Sequence, residues 1–176
     1  MTLTHCLRLR TAWMLDFFNE TFRKQTHKPE FGLCDNEDGT VAFIDETNKV
    51  QWIAVVKNPN VLDITFTAID KGIINDDEDY GQERCDGMLT TSKHLYFVEL
   101  KNERRHGWKQ KGISQLESTI KLFDIAHPEK KKKFAHKKAY VCNKKHPCFH
   151  VINNEQQLSF YRTYNFRLDI QGVIKV

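Results

Sequence analysis

No stretch of this chain is long and apolar enough to cross a membrane, because polar or charged residues break every hydrophobic run well short of a bilayer span. A secretory leader is not expected either. Residues 1–18 carry arginines but are interrupted by Asp16, and no small-residue cleavage site follows a clean apolar region. Without an export signal, the five cysteines are expected as reduced thiols rather than a disulfide framework, which points to the cytoplasm. There is no Pro/Gly/Ser-rich linker and no internal repeat. Residues 1–176 are therefore expected to form a single domain, long enough to bury a core without staples. The P-loop, the glycine-rich dinucleotide fingerprint and the nucleophile elbow are all missing, which leaves kinase and serine-hydrolase readings without support.

What is present is an uneven charge. The net charge of +4 hides an acidic stretch and a basic one. Residues 31–80 hold 3 Lys/Arg against 11 Asp/Glu, and residues 101–150 hold 14 against 4. A positive field of that kind attracts polyanions, although a solvated face explains many charge runs equally well.

Periodicity supplies the elements. An amphipathic helix is expected over residues 7–25, with Leu9, Ala12, Trp13 and Phe17 on its apolar face and Phe18 and Phe22 beside them. "FGLCDNEDG" reads as an acidic loop and "TVAFID" as a short strand. "VQWIAVV" and "VLDITFTAI" flank the turn signal "KNPN", which predicts a hairpin. "RCDGML" and "HLYFVELKN" form the next strand pair, joined by "TTSK". Ile113, Leu116, Ile120 and Phe123 then make one helical stripe that ends before Pro128. A basic loop, "EKKKKFAHKK", leads to the strand "AYVCN", which after a crossover helix should lie parallel in the same sheet. The tail is expected to hold a short helix and one or two strands. The resulting class is α/β, a mixed sheet with helices on its faces.

One strand carries charge where apolar residues pack. Side chains alternate along a strand, so Tyr96, Val98 and Leu100 share one face, suited to packing under a helix. Phe97, Glu99 and Lys101 share the other. Asp86 lies thirteen residues before Glu99, near the start of the neighbouring strand. An antiparallel "TTSK" hairpin would bring Asp86 beside Glu99 and Lys101. Two close carboxylates repel unless a cation sits between them, and Mg²⁺ prefers hard oxygen ligands while keeping several waters. Such a cation can acidify a water and stabilise charge on a phosphate in flight. A nearby lysine can orient or deprotonate that water. The competing reading is a surface ion pair at a strand end.

Asp86 followed by the Glu99-Leu100-Lys101 triplet resembles the PD-(D/E)xK nuclease superfamily, with its restriction-endonuclease-like fold. The similarity in element order runs from about Leu7 to Asn143. Cys85 stands where the motif often has proline. The resemblance implies a Mg²⁺- or Mn²⁺-dependent nuclease acting on DNA, with RNA left open. It implies that Asp86, Glu99 and the Leu100 carbonyl hold the metal and that Lys101 positions or activates the water. It further implies that Gln115, and Glu20 on the early helix, complete the shell, with Asp16 competing with Glu20. The alternative is a non-catalytic nucleic-acid-binding or protein-interaction module on the same fold.

Around that motif, Arg104, Arg105, Lys109, Lys111, Lys131 and Lys132 are candidate phosphate-backbone contacts. Trp108 can stack on a base or pack in the core, and His106 can touch phosphate or stand exposed. Cutting both strands of a duplex often uses two such sites, which leaves a homodimer open. Cys142, His146, Cys148 and His150 are four soft-metal donors in nine residues, but their spacing fits no zinc pattern. The acidic "NDDEDY" lacks the spacing and the glycine of a calcium loop.

Overall fold

The computed structural model describes residues 15–36, 38–75 and 83–176. It is a mixed α/β structure of two sheets and, among the described residues, two α-helices. Its strands are β1 (Arg23–Thr26), β2 (Glu30–Cys34), β3 (Phe43–Asp45), β4 (Ala54–Lys57), β5 (Ile64–Ala68), β6 (Gly87–Thr90), β7 (His94–Lys101), β8 (His136–Asn143), β9 (Arg167–Ile170) and β10 (Val173–Lys175). The helices are α1 (Trp108–Ala126) and α2 (Asn154–Tyr164). Among the described residues, no helix is long and apolar enough to cross a membrane.

Six strands form the main sheet in the order β1-β5-β6-β7-β8-β9, and four form a second sheet in the order β10-β4-β2-β3. The strands β5, β6 and β7 are an antiparallel meander. After the α1 crossover, β8 lies parallel to β7 over eight paired residues, as expected, and β9 lies parallel to β8. Two apolar clusters separate the layers. Met88, Phe97, Val141 and Leu168 pack against Leu116, Ile120 and Phe123 of α1. Leu89, Tyr96, Val98 and Leu100 pack against Phe31, Leu33, Ala54 and Val56 of the second sheet.

The alternation in β7 holds, but the layer over each face differs from expectation. The second sheet, not a helix, covers Tyr96, Val98 and Leu100. The helices cover the other face, the one that bears Glu99 and Lys101. Among the described residues, the main sheet thus has helices on one face only.

Three further expectations are corrected. Of the early helix, Leu9, Ala12 and Trp13 lie outside the described residues. Its described part is a single 3-10 turn, Glu20–Phe22, followed by β1, because Arg23–Thr26 pairs with the edge of β5 and that ladder captures the backbone. Phe17 still enters the core, where it packs edge-on against Phe97 and Phe123. "FGLC" is strand β2 rather than loop, with Phe31 and Leu33 buried beneath the main sheet. Gly32 is required there, since a Cβ would lie 2.0 Å from the Trp52 ring. Finally, "KNPN" is a turn but not a hairpin: β4 and β5 belong to different sheets. Asn58 is buried at that crossing, donating to the Lys28 and Leu62 carbonyls and accepting the Leu62 N–H.

Candidate active site

The β6–β7 hairpin pairs Gly87 with Val98, so the residue before β6 meets the end of β7. Asp86 Oδ2 accepts the main-chain N–H of Leu100 at 2.6 Å, which ties the two strand ends together. Gly87 leaves room for the Phe66 ring, which would lie 2.3 Å from an added Cβ. Glu99 and Lys101 project to the helical side, with Lys101 Nζ 2.5 Å from Glu99 Oε1. All three side chains are buried, Glu99 to 1% exposure.

α1 closes the site from above. Gly112 makes this possible: a Cβ there would sit 2.6 Å from Val141 Cγ1 and 3.4 Å from Glu99 Cγ, so only a glycine lets the helix come this close. One turn on, Gln115 Oε1 accepts from Lys101 Nζ at 2.8 Å, while its Nε2 donates to the Arg84 carbonyl at 3.0 Å. A further turn on, Thr119 Oγ1 accepts the Cys85 N–H at 2.8 Å and donates to the Gln115 carbonyl at 2.9 Å. Two helix side chains therefore hold the backbone that leads into Asp86. The expected grouping of Asp86, Glu99, Lys101 and Gln115 occurs.

The electrostatics of the cluster are strained. Burial pushes the Asp86 carboxyl up to about 7, against the lowering effect of the Leu100 N–H, and Asp35 and Asp70 add to the rise. Burial, with Asp86 beside it, pushes Glu99 well above the usual carboxylate range. For Lys101, burial favours the neutral amine, but the Glu99 carboxylate outweighs it and raises the lysine above its ordinary value. Lys101 is therefore an ammonium here. Glu99 Oε2 is buried and has no hydrogen-bond partner.

That orphaned oxygen is the test of whether a metal fits. Two buried carboxylates, one with an unpartnered oxygen, offer hard donors and surplus negative potential, the environment a divalent cation relieves. Among the described residues no group of three or more His, Cys, Asp or Glu side chains is arranged to hold a metal. Asp86, Glu99 and a main-chain carbonyl such as that of Leu100 would thus leave several positions to water and substrate, the usual habit of Mg²⁺.

Sequence reasoning missed three members. Thr119 lies within the apolar stripe of α1, and a lone hydroxyl at a core-facing helix position was the available signal. Asp70 lies two residues past the end of β5 and pairs with Arg84 Nε at 2.6 Å. The β5–β6 pairing brings it to Asp86's end of the sheet. Asp35 follows β2 in the other sheet, and no local pattern connects it to Asp86.

Other expected residues lie apart. Glu20 is exposed in the turn before β1, with β5 between β1 and β6, roughly 10 Å across the sheet from the strand Asp86 leads into. Among the described residues, no hydrogen bond or ion pair joins it to the cluster. Asp16 lies 3.7 Å from His127 Nε2 instead. Arg104 and Arg105, in the connection from β7, and Lys109 and Lys111, in the first turn of α1, are exposed at the site's end of the sheet. Lys131 and Lys132 precede β8, at the opposite end, and pair with Asp124 and Glu129. The basic segments therefore do not form one surface around the site. Trp108 is buried in the core. Cys142 points into the inter-sheet cluster while His146 stacks on Trp108, so the four soft-metal donors do not converge. Most of "NDDEDY" lies outside the described residues. Compared with protein-family models, with curated proteins and with solved structures, the chain matches none.

Proposed function

We propose that this chain is a Mg²⁺- or Mn²⁺-dependent nuclease with a restriction-endonuclease-like fold, hydrolysing phosphodiester bonds in DNA or RNA. The observation that carries the reading is the buried, unpartnered Glu99 Oε2 beside Asp86, with Lys101 held between Glu99 and Gln115. The resemblance to the PD-(D/E)xK superfamily assigns those same residues to such a site.

Asp86 and Glu99, with the Leu100 carbonyl, would hold the cation, which when bound supplies positive charge to the phosphate and lowers the pKa of a water. Lys101 contributes as a charged donor. Its ammonium can orient the attacking water or offset charge on the phosphate. Gln115 keeps that ammonium in place and, through Arg84, couples it to the Asp86 backbone. Arg104, Arg105, Lys109 and Lys111 would contact phosphates without reading sequence. Lys131 and Lys132, already paired and at the far end of the sheet, would serve only a long or wrapped substrate. A cytoplasmic setting, with reduced thiols, accords with this reading, and a homodimer would place two sites on a duplex.

The deciding experiment is cleavage of plasmid, linear duplex, single-stranded DNA and RNA with Mg²⁺, Mn²⁺ or EDTA, for the native chain and Lys101→Ala. Metal-dependent cutting that disappears in a folded Lys101→Ala protein supports the nuclease. Binding without cutting, unchanged in the variant, replaces it with a non-catalytic nucleic-acid-binding module.

A further inference from the structure

A cleft of about 490 Å³ opens beside the candidate active site, between the first turns of α1, the end of β9 and the loop entering α2. Its place is set by the sheet register. Glu99 pairs with Val141, and Val141 pairs with Ile170, which lines the cleft. Two strand spacings separate Glu99 from Ile170, roughly 10 Å. That span is about three stacked-base steps of a nucleic-acid strand.

The lining differs in kind from the site. The active-site cluster is acidic, whereas among the described residues no carboxylate lines the cleft. Exposed Val151 and half-buried Ile152 line it over the buried Trp108, Ile113 and Ile170, and its polar groups are His106, Lys109, Gln110, Asn153 and Gln156. Lys109 is held in position: its Nζ lies 3.1 Å from His150 Nδ1 and 5.6 Å from the centre of the Trp108 ring. Because an ammonium only donates, His150 Nδ1 is the acceptor in that contact. Val151, at the rim, is 87% exposed. An apolar side chain left in water next to a positioned cation suits a flat heteroaromatic ring joined to a phosphate.

We propose that this cleft receives one unpaired nucleobase of the substrate, within about three nucleotides of the scissile phosphate, so that the enzyme acts on single-stranded or locally unpaired nucleic acid. The proposal rests on the nuclease reading above. The base lies against the apolar surface, the amides of Gln110 and Gln156 meet its polar edge, and Lys109 meets the adjoining phosphate. A base locked in a continuous duplex stack cannot enter, so paired substrates lose these contacts.

The test is binding of short fluorescein-labelled oligonucleotides, single-stranded or fully paired, measured by fluorescence anisotropy. Native chain in EDTA and Lys101→Ala with Mg²⁺ provide two non-cleaving backgrounds. In each, Val151→Glu and Lys109→Ala are compared with the unaltered cleft, with melting temperature as the control for folding. The expected result is a single-strand preference of about tenfold that Val151→Glu and Lys109→Ala both abolish. Val151→Glu acts through a new carboxylate at an exposed position and leaves the fold intact. Equal binding of single strand and duplex, or a preference that survives both substitutions, overturns the cleft assignment while the nuclease stands. If the native chain neither binds nor cuts any nucleic acid, the nuclease reading falls and the cleft assignment with it.

Discussion

Asp86 and Leu100 are joined by a 2.6 Å hydrogen bond from the Leu100 N–H to Asp86 Oδ2. This contact uses one carboxylate oxygen to fix the end of β7, the strand that carries Glu99 and Lys101. The same aspartate is thus both a structural clamp and, on the proposed reading, a metal ligand, and burial leaves its charged form poorly solvated.

The pH dependence of Asp86 follows. Its folded value is raised to about 7 from an ordinary 3.8, so the folded state holds a proton that the unfolded chain has already lost. The stabilisation is fully present below about 3.8, declines as pH rises, and is gone above about 7. In EDTA, thermal stability should fall over that window, and Asp86→Asn should flatten the fall. A melting series across pH checks it. An unaltered slope in the variant would show that Asp86 is not the group responsible.

A second titration runs the other way. His127 Nε2 accepts the Phe17 N–H at 3.1 Å, which only a neutral ring can do. Burial, with Lys130 nearby, lowers its pKa below the ordinary 6.5, although Asp16 opposes the shift. Its contribution is therefore complete above 6.5 and lost as pH falls through the folded value. Replacing His127 with glutamine should remove this acid-side loss while leaving the Asp86 slope in place, as read in the same melting series.

Gly112→Ala sets two effects against each other. Alanine favours a helix by about 1 kcal/mol over glycine. Overpacking of a stiff valine, Val141, at 2.6 Å costs about 1–3 kcal/mol. The expected net effect is lower stability by urea unfolding and, on the proposed nuclease reading, a larger loss of cleavage, because α1 must move away from Glu99 and takes Gln115 from Lys101.

Thr119→Val keeps the side-chain volume but removes the acceptor for the Cys85 N–H. A buried unsatisfied donor costs about 1–3 kcal/mol. Urea midpoints should show that loss for Val, while Thr119→Ser, which keeps the hydroxyl, should recover most of it apart from the lost methyl. Equal stability of the Val variant and the native chain would mean that another group satisfies Cys85.

Much of the arrangement was readable from local pattern. The β6–β7 hairpin, the α1 stripe and the parallel return of β8 each follow from short-range periodicity and turn chemistry, because alternation and helical spacing are properties of consecutive residues. The same local logic placed Asp86 opposite Glu99. It failed where pairing partners are distant. The helical spacing of its aromatic neighbours predicts a helix through β1, yet hydrogen bonding to β5 decides its conformation. β4 and β5 were taken for a hairpin because the turn signal says where the chain bends but not which sheet each arm joins.

The sequence by itself determined which side chains share a face of β7 and that a carboxylate would stand across from Glu99. Tertiary structure alone decided which layer covers that face, that Thr119 reaches down from α1 to Cys85, and that Lys131 and Lys132 sit at the far end of the sheet. The physical reason is range. Side-chain direction along a strand is set by adjacent peptide units, whereas layer order, close helix approach and the distribution of charge around a site depend on contacts between residues far apart in the chain.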